Sequence, residues 1–147
     1  MAFIQTFEKI LQVKEREKKE AQKAYKQSVD SFEEVATKLY ELLRKKEEAE
    51  ENYQRQLDKA VSIDMLASHS SYMDKLQQVI QEVQYTVNEA RLNMESFQLK
   101  LTDAHIEVKK FEKMIENKKQ KLSEQLKLQE NSFMDEISLQ QYSVRNR

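Results

Sequence analysis

Apolar side chains recur along this chain in alternating steps of three and four residues. The stronger line runs Leu66, His69, Met73, Leu76, Ile80, Val83, Val87, Ala90, Met94, Phe97, Leu101, Ala104, Val108, Phe111, Ile115, Lys118 and Leu122, and only His69 and Lys118 in it are polar. A repeat of seven with apolar first and fourth members keeps one narrow stripe along a helix, and that stripe must meet another helix. A weaker line with the same rhythm runs Ile4, Phe7, Leu11, Lys14, Lys18, Ala21, Tyr25, Ser28, Phe32, Val35, Leu39, Leu42, Lys46, Ala49, Tyr53, Gln56 and Ala60. Between its members lie blocks of mixed charge such as Glu15-Arg16-Glu17 and Lys45-Lys46-Glu47-Glu48, which read as a wet helix face.

The two lines are out of phase. Continuing the first beyond Ala60 reaches Ile63 and Ala67 and then fails, so a turn is expected near residues 61–65. Ser62 suits a helix N-cap, and Asp64 suits the positive end of the helix that follows. The alternative is one unbroken helix that dimerises, serving as a structural scaffold or spacer. With a turn, the lines zip as an antiparallel hairpin in which facing positions sum to about 122. Phe7 then meets Ile115, Tyr25 meets Phe97, Phe32 meets Ala90, Val35 meets Val87 and Leu42 meets Ile80. Tyr53 faces His69, and a hydrogen bond between them is expected. The fold expected is all-α: a single long two-helix antiparallel coiled-coil hairpin over residues 1–147. Its first helix covers about 4–60 and its second about 63–140, with a frayed C-terminal tail overhanging the first helix.

Composition sharpens this picture chiefly by exclusion. The chain of 147 residues contains no glycine, no proline and no cysteine. Phosphate-cradling loops and tight turns lean on glycine, so a Rossmann or P-loop reading is excluded. No disulfide or thiolate metal site is available, and a reducing cytosol suits the chain. Charged residues make up 35% and the net charge is −1, which favours neither nucleic acid nor an anionic membrane. No apolar run approaches the ~20 residues a bilayer span needs. The two histidines, His69 and His105, lie far apart on one helix with no carboxylate cluster beside them, so no catalytic residue, metal or cofactor is expected.

Three regions exceed what a hairpin needs. Near the turn, Tyr40 and Leu43 flank Leu39 and Leu42, while Tyr72 and Val79 flank Met73 and Ile80, in a stretch poor in charge. They read either as a partner surface or as margins of a wider seam. The row Tyr85, Leu92, Leu99 and Ile106 repeats every seven residues opposite the seam, a second contact line for a protein, another copy or a returning tail. Beyond Leu122 the rhythm shifts, and Phe133, Met134, Ile137, Leu139 and Tyr142 have no helix to face, which points to a docking end.

The segment Phe3-Ile4-Gln5-Thr6-Phe7-Glu8-Lys9-Ile10-Leu11-Gln12-Val13-Lys14-Glu15 resembles the start of Gram-positive members of the flagellar export protein FliJ family. Glu107-Val108-Lys109-Lys110-Phe111-Glu112-Lys113-Met114 and Met134-Asp135-Glu136-Ile137-Ser138 resemble that family as well. The resemblance covers essentially the whole chain. It implies a stalk similar to the paired terminal helices of a rotary ATPase γ subunit, cytoplasmic and associated with the inner face of the cell membrane. It further implies three partners: the flagellar export ATPase ring, the cytoplasmic domain of the membrane export gate, and export chaperones. Carried onto this chain, ring contacts fall to Phe7, Ile10, Leu11 and Lys14 and to Phe133, Met134, Asp135 and Ile137. Gate contacts fall to Tyr53, Tyr72, Leu76, Val79 and Val83; Leu76 and Val83 are also seam positions.

Overall fold

A computed structural model describes residues 2–59 and 62–145. They form two α-helices, α1 (Ala2–Leu57) and α2 (Ile63–Arg145), paired antiparallel as a hairpin. Nothing in either sequence interrupts a helix, because the residues that do so, glycine and proline, are absent. The second helix therefore continues to Arg145, past the end near residue 140 expected from periodicity.

The connection occupies residues 58–62, of which Ala60, the last member of the first line, and Val61 lie outside the described residues. Ser62 caps α2: its hydroxyl oxygen accepts the Met65 N–H at 3.3 Å, and its carbonyl accepts the Leu66 N–H at 3.2 Å. The first satisfies a donor that a helix start otherwise leaves free, and the second is the first bond within the helix itself. Asp64 stands in the first turn, where a carboxylate meets the positive helix end. On the other side, the Lys59 N–H donates to the Gln56 carbonyl at 3.0 Å as the chain leaves α1. Gln56, expected in the seam, is exposed.

By contact density the chain divides into two compact units: a turn unit, Glu20–Thr102, and a terminal unit, Met1–Lys19 with Asp103–Arg147. In the turn unit, Leu76 and Ile80 are buried, and the other members of the α2 line from Leu66 to Leu101 are half-buried. The α1 line from Ala21 to Tyr53 is likewise shielded. Pairing follows the anticipated register. Tyr53 meets His69, and Lys46 reaches Gln77, its Nζ donating to Oε1 at 2.9 Å. The contact between Tyr53 and His69 differs from the hydrogen bond expected. Their rings stack, with centroids 4.2 Å apart and planes 8° from parallel. Both side chains carry flat rings on facing positions, and stacking buries more of each than an edge-on bond allows. Ser28 is buried, and its hydroxyl donates back to the Tyr25 carbonyl at 2.6 Å. A polar seam position is thereby satisfied within its own helix.

In the terminal unit, Val108 and Ile115 are buried. Phe7 sits between Phe3 and Phe111, with centroids at 4.2 Å and 5.8 Å. Lys118, the puzzling cation of the stronger line, holds its ammonium 4.9 Å above the Phe3 ring. A lysine stem lying along apolar surface with its charge over an aromatic face suits a seam end. Glu8 and Lys119 form an ion pair between the helices at 3.4 Å. Among the described residues, no buried side-chain nitrogen or oxygen lacks a partner.

Candidate partner surfaces

In a two-helix seam, accessible apolar side chains are those that helical rotation carries away from the partner helix. In the terminal unit, this divides the candidate ring residues. Phe7 and Leu11 are half-buried seam members, Ile10 is half-buried beside them, and Lys14 is half-buried and ion-paired with Glu17 at 3.5 Å. Phe133, Met134 and Asp135 are exposed on the part of α2 that α1 does not reach. Ile137 is half-buried, cover that its neighbours one turn away on the same helix supply. Phe3 pairs with Lys118, and Phe133 lies ~22 Å farther along α2 at ~1.5 Å per residue. The two groups are therefore separate: one is packed within the hairpin, and the other stands on a single helix. From Ser123 to Glu136 every residue of that helix is exposed.

In the turn unit, the gate candidates also divide. Leu76 is only 7% exposed. Val83 and Tyr53 are half-buried, Tyr53 against His69. Tyr72 and Val79, at 49% and 42% exposed, are the most accessible of the five. Tyr40 and Leu43 are exposed too, but not beside them. Leu43 follows the seam residue Leu42, whereas Val79 precedes Ile80. In an antiparallel pair these two displacements lie on opposite edges of the seam.

The edge that carries Tyr72 and Val79 has a feature that periodicity did not announce. A shallow concavity of about 250 Å³ is lined by Ala24, Gln27, Ser28, Ser31, Ala90, Asn93 and Phe97. It carries no charge, in a chain that is 35% charged. Its sequence signal was the cluster of small residues Ala24, Ser28 and Ser31, set against Ala90 across the seam. The remaining row stands on the far side of α2. Tyr85, Leu92 and Leu99 are exposed in the turn unit; Ile106, also exposed, belongs to the terminal unit. Glu89, one turn beyond Tyr85, raises the phenol's pKa above the ordinary tyrosine value, as an acceptor for its O–H and then through its negative charge.

Among the described residues, no group of three or more His, Cys, Asp or Glu side chains converges as a metal site. His69 is occupied by Tyr53, and His105 stands exposed. No helix among the described residues is long and apolar enough to cross a membrane.

A family model described as "Flagellar FliJ protein" matches residues 3–147. A flagellar FliJ protein of Bacillus subtilis (strain 168) is 38% identical over 144 residues, covering 98% of this chain and 98% of its own length. No solved structure matches.

Proposed function

The chain belongs to the flagellar FliJ family, and from that premise we propose that it acts in flagellar protein export as a non-enzymatic stalk. It binds the export ATPase ring, promotes the ring's assembly and activity, couples it to the cytoplasmic domain of the membrane export gate, and helps recycle export chaperones. It works at the inner face of the cell membrane, held there by the export apparatus. The observation that carries this reading is the unpaired stretch of α2, where Phe133, Met134, Leu139 and Tyr142 are all at least 60% exposed. Apolar side chains at that density on a lone helix cost solubility unless a partner covers them.

Ring contact falls to Phe133, Met134, Asp135 and Ile137, joined by Ile10 and Lys14 at the rim of the paired part. Phe7 and Leu11 support that end by packing. Gate contact falls to Tyr72 and Val79, with Tyr53, Leu76 and Val83 holding the edge in place from within the seam. The mechanism is allosteric. A two-helix stalk has no rotational symmetry, so it touches successive subunits of a ring unequally and biases their conformations through its differential affinity.

The test is the ATPase rate and oligomeric state of the flagellar export ATPase, with and without this protein. Stimulation is expected, and Phe133→Asp is expected to abolish it while circular dichroism stays helical. An unchanged rate and unchanged ring assembly with the native protein would refute the proposal.

A further inference from the structure

The outward row of the turn unit bears no relation to the ring or gate contacts proposed above, and it has its own electrostatic character. Tyr85, Leu92 and Leu99 are 66%, 60% and 67% exposed. Each follows the last by seven residues, so the line runs parallel to the seam beneath it rather than winding around the helix. A partner that follows it must be a helix or an extended segment lying along α2.

The sides of the row are acidic. Glu82 and Glu89 lie three residues before Tyr85 and Leu92, and Glu95 lies three residues after Leu92 and four before Leu99. Positions three and four apart are neighbours on a helix surface, so all three carboxylates border the row. None of them forms a salt bridge among the described residues. Of the nearby cations, Lys100 is engaged 5.1 Å over the Phe97 ring in the seam, and Arg91 lies immediately before Leu92, about a quarter turn away. Glu89 lies four residues after Tyr85, so its carboxylate stands beside the phenol on the same face of the helix.

We propose that Tyr85, Leu92 and Leu99 form a docking line for a cationic amphipathic helix of another protein, its apolar stripe on the row and its lysines or arginines on Glu82, Glu89 and Glu95. A second copy of this chain is disfavoured. Its row brings the same carboxylates to the contact rather than the cations that would complement them, and like charges brought together at an interface select against that pairing. An anionic membrane meets the same unpaired carboxylates and is repelled by them.

The probe is a synthetic three-heptad helical peptide with one leucine per heptad and lysines on either side of that line; its control carries glutamates in place of the lysines. Titrated against the full chain and followed by fluorescence anisotropy, the lysine peptide is expected to bind and the glutamate peptide not to. The double variant Leu92→Gln/Leu99→Gln is expected to weaken binding about tenfold or more with unchanged circular dichroism, because both side chains already face solvent. The triple variant Glu82→Gln/Glu89→Gln/Glu95→Gln is expected to weaken binding and flatten its dependence on salt. Equal binding of both peptides, or binding indifferent to the leucine pair, would overturn the proposal. So would sedimentation showing a dimer that the leucine variant dissolves, or binding to phosphatidylglycerol vesicles that the same variant removes.

Discussion

Ile80 and Leu99 lie on the same helix and in the same unit, yet their environments are opposite. Ile80 is 1% exposed and Leu99 is 67% exposed. Replacing either with alanine deletes the same amount of hydrocarbon, worth about 2.5 kcal/mol at ~0.8 kcal/mol per carbon when fully buried. At Ile80 the whole of that is lost. A partly unfilled space adds to it, because facing Leu42 cannot fully collapse into the gap. Alanine's better helix propensity returns a few tenths of a kcal/mol. The expected loss is about 2–3 kcal/mol. At Leu99 only about a third of the side chain is covered, so the transfer contribution is roughly 0.8 kcal/mol, and propensity reduces it to about 0.5. Urea titrations followed at 222 nm measure both, provided the slopes agree. A several-fold difference is expected. Losses within about 0.5 kcal/mol of each other would mean that the seam does not hold the hairpin as described, or that the outer row is covered within the free protein.

Three further outcomes follow from particular contacts. Tyr53→Phe is expected to leave stability within about 0.5 kcal/mol, since the ring stack on His69 survives; a loss near 1 kcal/mol in the same urea titration would restore a hydrogen bond to that pair. Ser62→Ala removes the cap of α2 and is expected to cost about 1 kcal/mol, visible as a lowered urea midpoint at constant slope. Amide hydrogen exchange is expected to be fast from Ser123 onward and slow from Leu76 to Ile115, because a single helix without packing is marginal in water; equal protection in both stretches would show that the free protein already covers its tail.

The pairing of the helices was legible because a seven-residue apolar repeat has few physical solutions. Each member of the line from Leu66 to Leu122 is in fact shielded, and Ser62 takes the capping role its hydroxyl suggested. The polar interruptions were legible only as interruptions. Lys118 makes sense once the Phe3 ring lies beneath its ammonium, and Lys46 once Gln77 lies within reach. Those partners come from the other helix, so no local pattern reveals them. His69 was rightly matched with Tyr53, but whether two flat polar rings bond edge to edge or stack depends on side-chain angles that periodicity does not encode.

The candidate surfaces were legible to the same degree. Rows one position off the seam could be read from spacing, and Tyr85, Leu92 and Leu99 are exposed as their spacing implied. Accessibility within the row of gate candidates was not, because Leu76 serves the seam and is buried, whereas Val79, three residues on, is exposed. Which edge each flanking residue takes depends on helix direction: Tyr40 and Leu43 fall opposite Tyr72 and Val79 only because the partner runs antiparallel. The uncharged concavity beside Ser28 and Ala90 went unseen because it arises from small residues on both helices at one level.

The most direct test of the stalk reading is made in the cell. A photo-cross-linking amino acid placed at Phe133, and in a second strain at Tyr72, reports which protein lies against each surface. An adduct with the export ATPase is expected from position 133, and an adduct with the cytoplasmic domain of the export gate from position 72. An adduct with the gate from position 133, or none from either position in cells that are actively building flagella, would contradict it.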